Sequence, residues 1–174
     1  MAFTIAFIIQ HGMNLFNRLN GLKLIMKTLE VKILDNAMYA YPLSYATPGS
    51  AGLDLRASIE EPFQLYPKQR QLFKTGVAIN IKDPSIVGFI TSRSGLNLKH
   101  GVRVSQGIGT IDSDYVDELG VILYNDGQDI YTVEPYERIA QIVFMPVYQM
   151  SLDLVDEFSY NNNRGGGFGS TGKT

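Results

Sequence analysis

From Lys27 onward, short apolar runs are cut by turn residues at close intervals, and this punctuation decides what the chain can fold into. Leu29 to Leu34 alternates apolar and polar, the period of a half-buried strand. Tyr66-Pro67-Lys68-Gln69 reads as a turn between Phe63-Gln64-Leu65 and Leu72-Phe73. Val77 to Ile81 stops at Asp83-Pro84, and Ile86 to Ile90 follows. Val121 to Tyr124 runs into Asn125-Asp126-Gly127, where Asp-Gly predicts a tight hairpin with positive φ. Ile130 to Val133 meets a corner at Glu134-Pro135, and Ile139 to Val147 is a nearly continuous apolar strand. Only Gly95 to His100 reads as a helical turn. Many short strands with Gly, Pro and Asx between them predict an all-β sandwich or barrel. No internal repeat is visible.

A chain of 174 residues is long enough to bury one core without disulfide or metal staples. Fifteen Lys and Arg against 17 Asp and Glu give a net charge of −2, with no basic block. That balance argues against general nucleic-acid binding, which relies on surplus cations facing phosphates. The absence of cysteine excludes a disulfide framework, a thiolate zinc site and a Cys nucleophile, and fits a reducing compartment.

Residues 2–9 form an apolar run too short to span a bilayer, which takes about 20 residues. No Lys or Arg precedes the run, as a signal peptide would require. Leu15, Phe16, Leu19, Leu22 and Leu24 follow at loosely helical spacing, so an amphipathic helix for a membrane or partner is the alternative to a simple tail. The expected organisation is an extension over 1–25, a domain over 26–160 and a Gly-rich arm over 161–174. The expected location is cytoplasmic, with no membrane association.

Four segments could carry chemistry. Ser50-Ala51-Gly52-Leu53-Asp54-Leu55 puts a carboxylate on a strand entered through a glycine. Arg93-Ser94-Gly95 ends a strand with a guanidinium, a hydroxyl and a glycine at a helix start, either an anion site or an N-cap beside a surface Arg. Gly107 to Tyr115 combines two glycines, two carboxylates and a phenol. In strand geometry Asp112 and Asp114 share a face, one as a base and one as a salt-bridge partner; the other reading is a polar turn. In Arg138-Ile139-Ala140-Gln141, Arg and Gln stand three apart and point to opposite faces of a strand, so Arg138 reads as a structural ion pair.

Five of the 17 glycines fall in the last ten residues. Gly167 to Thr174 matches G-x-x-x-x-G-K-[ST], the phosphate loop of nucleotide-binding α/β proteins. Such a loop opens a helix, and the sequence given ends at Thr174, so the α/β phosphate-loop fold is not expected here. The local chemistry survives without that fold: glycines expose backbone N–H groups, hydroxyls add donors and Arg164 adds charge.

The segments SAGLDLRA, SRSGL, GTIDSDY, RIAQ and RGGGFGSTG occur in that order over residues 50–172. Together they resemble the five-motif pattern of the homotrimeric dUTP pyrophosphatases, the dUTPases. The resemblance covers about residues 27–174. It implies an all-β jelly roll, the dUTPase-like β-clip, forming a homotrimer with swapped C-terminal arms. It implies hydrolysis of dUTP to dUMP and diphosphate with Mg²⁺. Asp112 matches the general base, and Asp54 matches a carboxylate that reaches the metal through water. Arg93, Ser94 and Gly95 match the phosphate turn, and Gln141 matches a phosphate-side contact. Gly107 to Ile111 (Gly109, Thr110 and Ile111 among them) and Gly120 fall on uracil-binding positions, Gln106 falls on a substrate-binding position, and Tyr115 matches the residue stacked under deoxyribose. Arg164, Phe168, Gly169, Ser170 and Thr171 match the arm, with Phe168 stacking on uracil. Each site of the family draws on three subunits.

The chain departs from the pattern at four places. Gln106 stands where Asn is common, Ser92 where Pro is, and Asp117 where Gly is. The spacing between Arg164 and Phe168 is one residue short. Two competitors share the fold: a dCTP deaminase, which would use a Glu base, and a member that binds nucleotide without turnover.

Overall fold

The computed structural model describes residues 27–160. The extension over 1–25 and the arm over 161–174, with Arg164, Phe168, Gly169, Ser170 and Thr171, lie outside the described residues. Among the described residues ten strands are present: β1 (Glu30–Ile33), β2 (Gly52–Arg56), β3 (Phe63–Leu65), β4 (Arg70–Asn80), β5 (Ile86–Ser92), β6 (Val102–Val104), β7 (Ile108–Ile111), β8 (Glu118–Asn125), β9 (Tyr131–Val133) and β10 (Arg138–Pro146). One short helix, α1 (Ser94–His100), and a 3₁₀ turn at Asn36–Tyr39 complete the described elements.

The strands form two four-stranded sheets, ordered β1-β4-β8-β6 and β2-β10-β5-β7, plus the pair β3-β9. All pairings are antiparallel. Inward residues of both large sheets meet in one apolar cluster, with Leu53, Leu55, Ile90, Ile139 and Ile142 from one and Val77, Ile79, Leu119, Val121 and Leu123 from the other. Period-two alternation produces this directly: in β8, Leu119, Val121 and Leu123 point in while Glu118, Gly120 and Ile122 point out. This is the all-β architecture the punctuation predicts.

One expectation fails on pairing. Asp126-Gly127 does not close a hairpin, because β9 pairs with β3 and not with β8. Instead Asn125 is fully buried, donates from Nδ2 to the carbonyls of Leu65 (2.9 Å) and Asp129 (2.8 Å), and accepts the Gly127 N–H (2.9 Å). The positive φ of this region sits at Gly101, at 70°, where a Cβ would lie 2.6 Å from the Gly127 nitrogen. Strand β7 pairs with β5 while β8 pairs with β4 and β6. Residues 112–117 therefore connect the two sheets. The strand ends at Ile111, and the Tyr115 N–H bonds the Asp112 carbonyl at 3.2 Å in a turn. Strand alternation does not govern Asp112 and Asp114, so the polar-turn reading describes the backbone here.

Candidate functional site

The central strand β10 organises one cluster. Gln141 lies opposite Asp54 on β2 and opposite Thr91 on β5. The sequence places Arg138 and Gln141 on opposite faces, but the register against β2 shifts between Arg138 and Ala140. The extra residue is a β-bulge. It lets Ile139 and Ala140 both point inward, each fully buried, and brings Arg138 back to the side of Gln141. The signal was present in the sequence: two adjacent apolar residues between two polar ones break a period of two.

Both side chains line an open cleft of about 650 Å³. Gly52 shapes one wall, since a Cβ there would lie 2.6 Å from Gln141 Oε1. Asp54 sits in the cleft between two guanidinium groups: Oδ1 accepts from Arg93 Nε at 3.1 Å and Oδ2 from Arg138 Nη1 at 3.3 Å. Arg93 Nη1 also donates to the Arg138 carbonyl at 3.2 Å. Arg138 is thus the ion pair expected of it, and it also faces the cleft.

Arg93 occupies the N-cap position of α1 but its side chain makes no cap bond, because it is turned to Asp54. Ser94 and Gly95, both exposed, open onto the same cleft, and a Cβ on Gly95 would meet nothing within 4 Å. Buried Leu96 anchors the helix to the core. Ser92 Oγ accepts the Val104 N–H at 2.8 Å and ties the end of β5 to β6.

Lys99, His100, Tyr131 and Glu137 extend the cleft; the sequence did not mark them as site residues. The His100 and Tyr131 rings lie 4.9 Å apart, and the Tyr131 hydroxyl donates to Glu137. Burial first, and then Glu137, push the Tyr131 phenol well above its ordinary value. With Arg93, Arg138 and Lys99 facing Asp54 and Glu137, the cleft suits an anion.

The second cluster surrounds β7. Gln106 lies in the turn from β6, where the Gly107 N–H bonds the Val104 carbonyl at 3.1 Å. Its Nε2 would be 3.2 Å from a Cβ on Gly109, which packs against Ile90. Thr110 and Asp112 are exposed. The Tyr115 hydroxyl donates to the Glu118 carbonyl at 2.9 Å, which steadies its exposed ring. Gly120 pairs with Lys74, and its missing side chain leaves room for Leu72 Cδ1, 2.8 Å from where a Cβ would be.

The β7 cluster runs along β5: Ile108 pairs with Thr91 near the cleft, and Asp112 follows the far end of the pairing. Ile111 pairs with Gly88, five residues before Arg93, so about 16 Å of strand separates the entry to Asp112 from the cleft.

A family model for dUTPase matches residues 39–172. The chain belongs to the dUTPase family. It is 49% identical over 149 residues to the deoxyuridine 5′-triphosphate nucleotidohydrolase of Polynucleobacter asymbioticus, covering 86% of this chain and 100% of that one. It is 50% identical over 147 residues to the enzyme of the same description from Aeromonas hydrophila, covering 83% and 97%. Among solved structures it resembles the dUTPase of Staphylococcus bacteriophage 80alpha with dUpNHpp, at 30% identity and a TM-score of 0.74, covering 84% of this chain and 99% of that one. A variant dUTPase of phage phi11 of S. aureus, described with a coordinated structural Mg(II) ion, matches at 25% identity and a TM-score of 0.68 over 77% and 100%. No helix among the described residues of this dUTPase-family chain is long and apolar enough to cross a membrane.

Proposed function

We propose that this protein hydrolyses dUTP to dUMP and diphosphate with Mg²⁺, as a homotrimer whose sites combine residues of different chains. The observation that carries this reading is the alignment with deoxyuridine 5′-triphosphate nucleotidohydrolases over the whole length of a relative. The separation of Asp112 from Arg93 along β5 supports the shared site. A nucleotide held by the β7 cluster of one chain would lay its phosphates in the cleft of another.

In this reading Asp112 orients a water and takes its proton as the oxygen attacks the α-phosphorus in line with the departing diphosphate. The reaction needs positioning and charge neutralisation more than covalent help. Backbone groups of Gly109, Thr110, Ile111 and Gly120, with Gln106, read the uracil edge. Tyr115 packs under deoxyribose and leaves no room for a 2′-hydroxyl. Arg93, Ser94, Gly95 and Gln141 hold the phosphates. Arg164, Phe168, Gly169, Ser170 and Thr171, outside the described residues, supply a cation, a stacking ring and further donors. The domain assignment, 26–160 between an extension and an arm, belongs to the same proposal, as does a cytoplasmic location.

The donor set fits Mg²⁺ only together with the nucleotide. No group of three or more carboxylate or imidazole ligands occurs among the described residues, and Asp54 is flanked by two guanidinium groups. Mg²⁺ favours one or two carboxylates plus phosphate oxygens and water. Asp54 would hold it through water, since each carboxylate oxygen keeps an acceptor site free. The chemistry a bound Mg²⁺ supplies is neutralisation of the charge on the leaving diphosphate.

Diphosphate release from dUTP, dTTP, dCTP and UTP with Mg²⁺ tests the assignment. Release from dUTP alone is expected. Ammonia release from dCTP would establish the deaminase, and nucleotide binding without turnover would establish a non-catalytic member.

A further inference from the structure

We infer that Arg138 is a positioning residue, acting on nucleotide through Arg93 and not by its own charge. The inference rests on the proposed function in taking the cleft as the triphosphate site. Arg93, Asp54 and Arg138 form a closed ring: Arg93 Nε to Asp54 at 3.1 Å, Arg138 Nη1 to Asp54 at 3.3 Å, and Arg93 Nη1 to the Arg138 carbonyl at 3.2 Å. Arg138 enters it twice, by side chain and by backbone. A guanidinium is a rigid planar fork, so two fixed N–H groups fix the direction of the rest. The ring therefore aims Arg93 Nη2, which has no hydrogen-bond partner among the described residues. A free Arg side chain gives up considerable rotamer freedom on binding a ligand, and the ring has already removed most of it.

The bulge is what builds the ring. Without the extra residue between Arg138 and Ala140, period-two alternation would turn Arg138 away from Asp54 and Gln141. The arrangement also gives Asp54 a second task. It gathers two cations before any metal arrives.

The test is binding of inorganic triphosphate to the full-length protein by calorimetry, with chelator present and at fixed ionic strength. This probe reports on the cleft whether or not dUTP is the substrate; failure of dUTP turnover alone would sink the proposed function and leave this inference standing. Arg138→Gln is expected to weaken triphosphate binding about tenfold, and to leave it within about twofold in an Arg93→Gln background. Arg138→Lys, which keeps the charge but not the fork, is expected to recover less than half of the loss in the logarithm of affinity. In steady state, Arg138→Gln should raise KM for the nucleotide with kcat within threefold. Equal losses in both backgrounds, full recovery by Lys, or no triphosphate binding by the parent protein would overturn the inference.

Discussion

Asp54 accepts a hydrogen bond from Arg93 at 3.1 Å although Asp54 stands on β2 and Arg93 just past the end of β5, two strands that do not pair with each other. Each instead pairs with β10, which carries Arg138 and Gln141 between them. The cleft is a product of that three-strand arrangement. Replacing Arg93 by Gln should therefore cost binding and not folding. The side chain is about one-third exposed and the core does not depend on it. We expect kcat/KM for dUTP to fall at least 100-fold with the melting temperature within about 2 °C, read by diphosphate release and circular dichroism.

Asp112 lies beyond the end of β7, exposed in a turn held by the Tyr115 N–H. Asp112→Asn keeps that turn and removes the base. Turnover should fall by at least about 1,000-fold while affinity for a non-hydrolysable dUTP analogue stays within a few-fold. Hydrolysis at the parent rate would refute the assignment.

The 16 Å of strand between the entry to Asp112 and Arg93, about five residues along β5, makes complementation possible. Asp112→Asn and Arg93→Gln chains, each inactive alone, should regain activity when unfolded and refolded together. Random assortment predicts roughly a quarter of parent activity, because one site in four then draws its intact residues from two different chains. No recovery would place both residues in a site made by a single chain.

Gly52 gives way to Gln141, whose Oε1 would lie 2.6 Å from a Cβ at that position. Gly52→Ala should displace the end of a flexible side chain and leave the backbone in place. We expect a several-fold rise in KM for the nucleotide and a stability loss of about 1 kcal/mol, read by steady-state kinetics and urea unfolding.

Asp35 accepts from Ser58 Oγ at 2.6 Å, the Ala37 N–H at 2.9 Å and the Tyr136 hydroxyl at 3.1 Å. The Ser58 bond first, and then the other two, hold its carboxyl below the usual carboxylate range. A carboxylate lowered in the fold contributes stability above its unfolded value of about 3.9, and that contribution fades as pH falls through the folded value. Melting temperature should drop below about pH 4 more steeply in the parent than in Asp35→Asn, the two curves converging in acid.

Much of the fold was legible because the relevant signal is local. Turn residues and alternation placed β3 over Phe63–Leu65 and marked the segments that became β1, β5, β8, β9 and β10, each within a few residues. The partners of these strands were not legible in the same way. Asp126-Gly127 has the composition of a hairpin turn, yet β8 and β9 lie in different sheets, because buried Asn125 uses its amide to join β3, β8 and the start of β9. The connection over 112–117 left strand geometry and a polar turn both open for the same reason: nothing local announces that the chain changes sheets there.

The sequence by itself determined the all-β class, the order of five motifs and the residue types that belong to a nucleotide-hydrolase site. Those depend on side-chain identity and on spacing along the chain, which the sequence contains in full. Only the tertiary structure decided that Arg138 joins Gln141 on one face, that Asp54 is held between two guanidinium groups, and that Asp112 stands far along β5 from Arg93. A β-bulge and a choice of pairing partner set these relations. Both follow from how inward residues of two sheets fill one core, which no short stretch of sequence specifies.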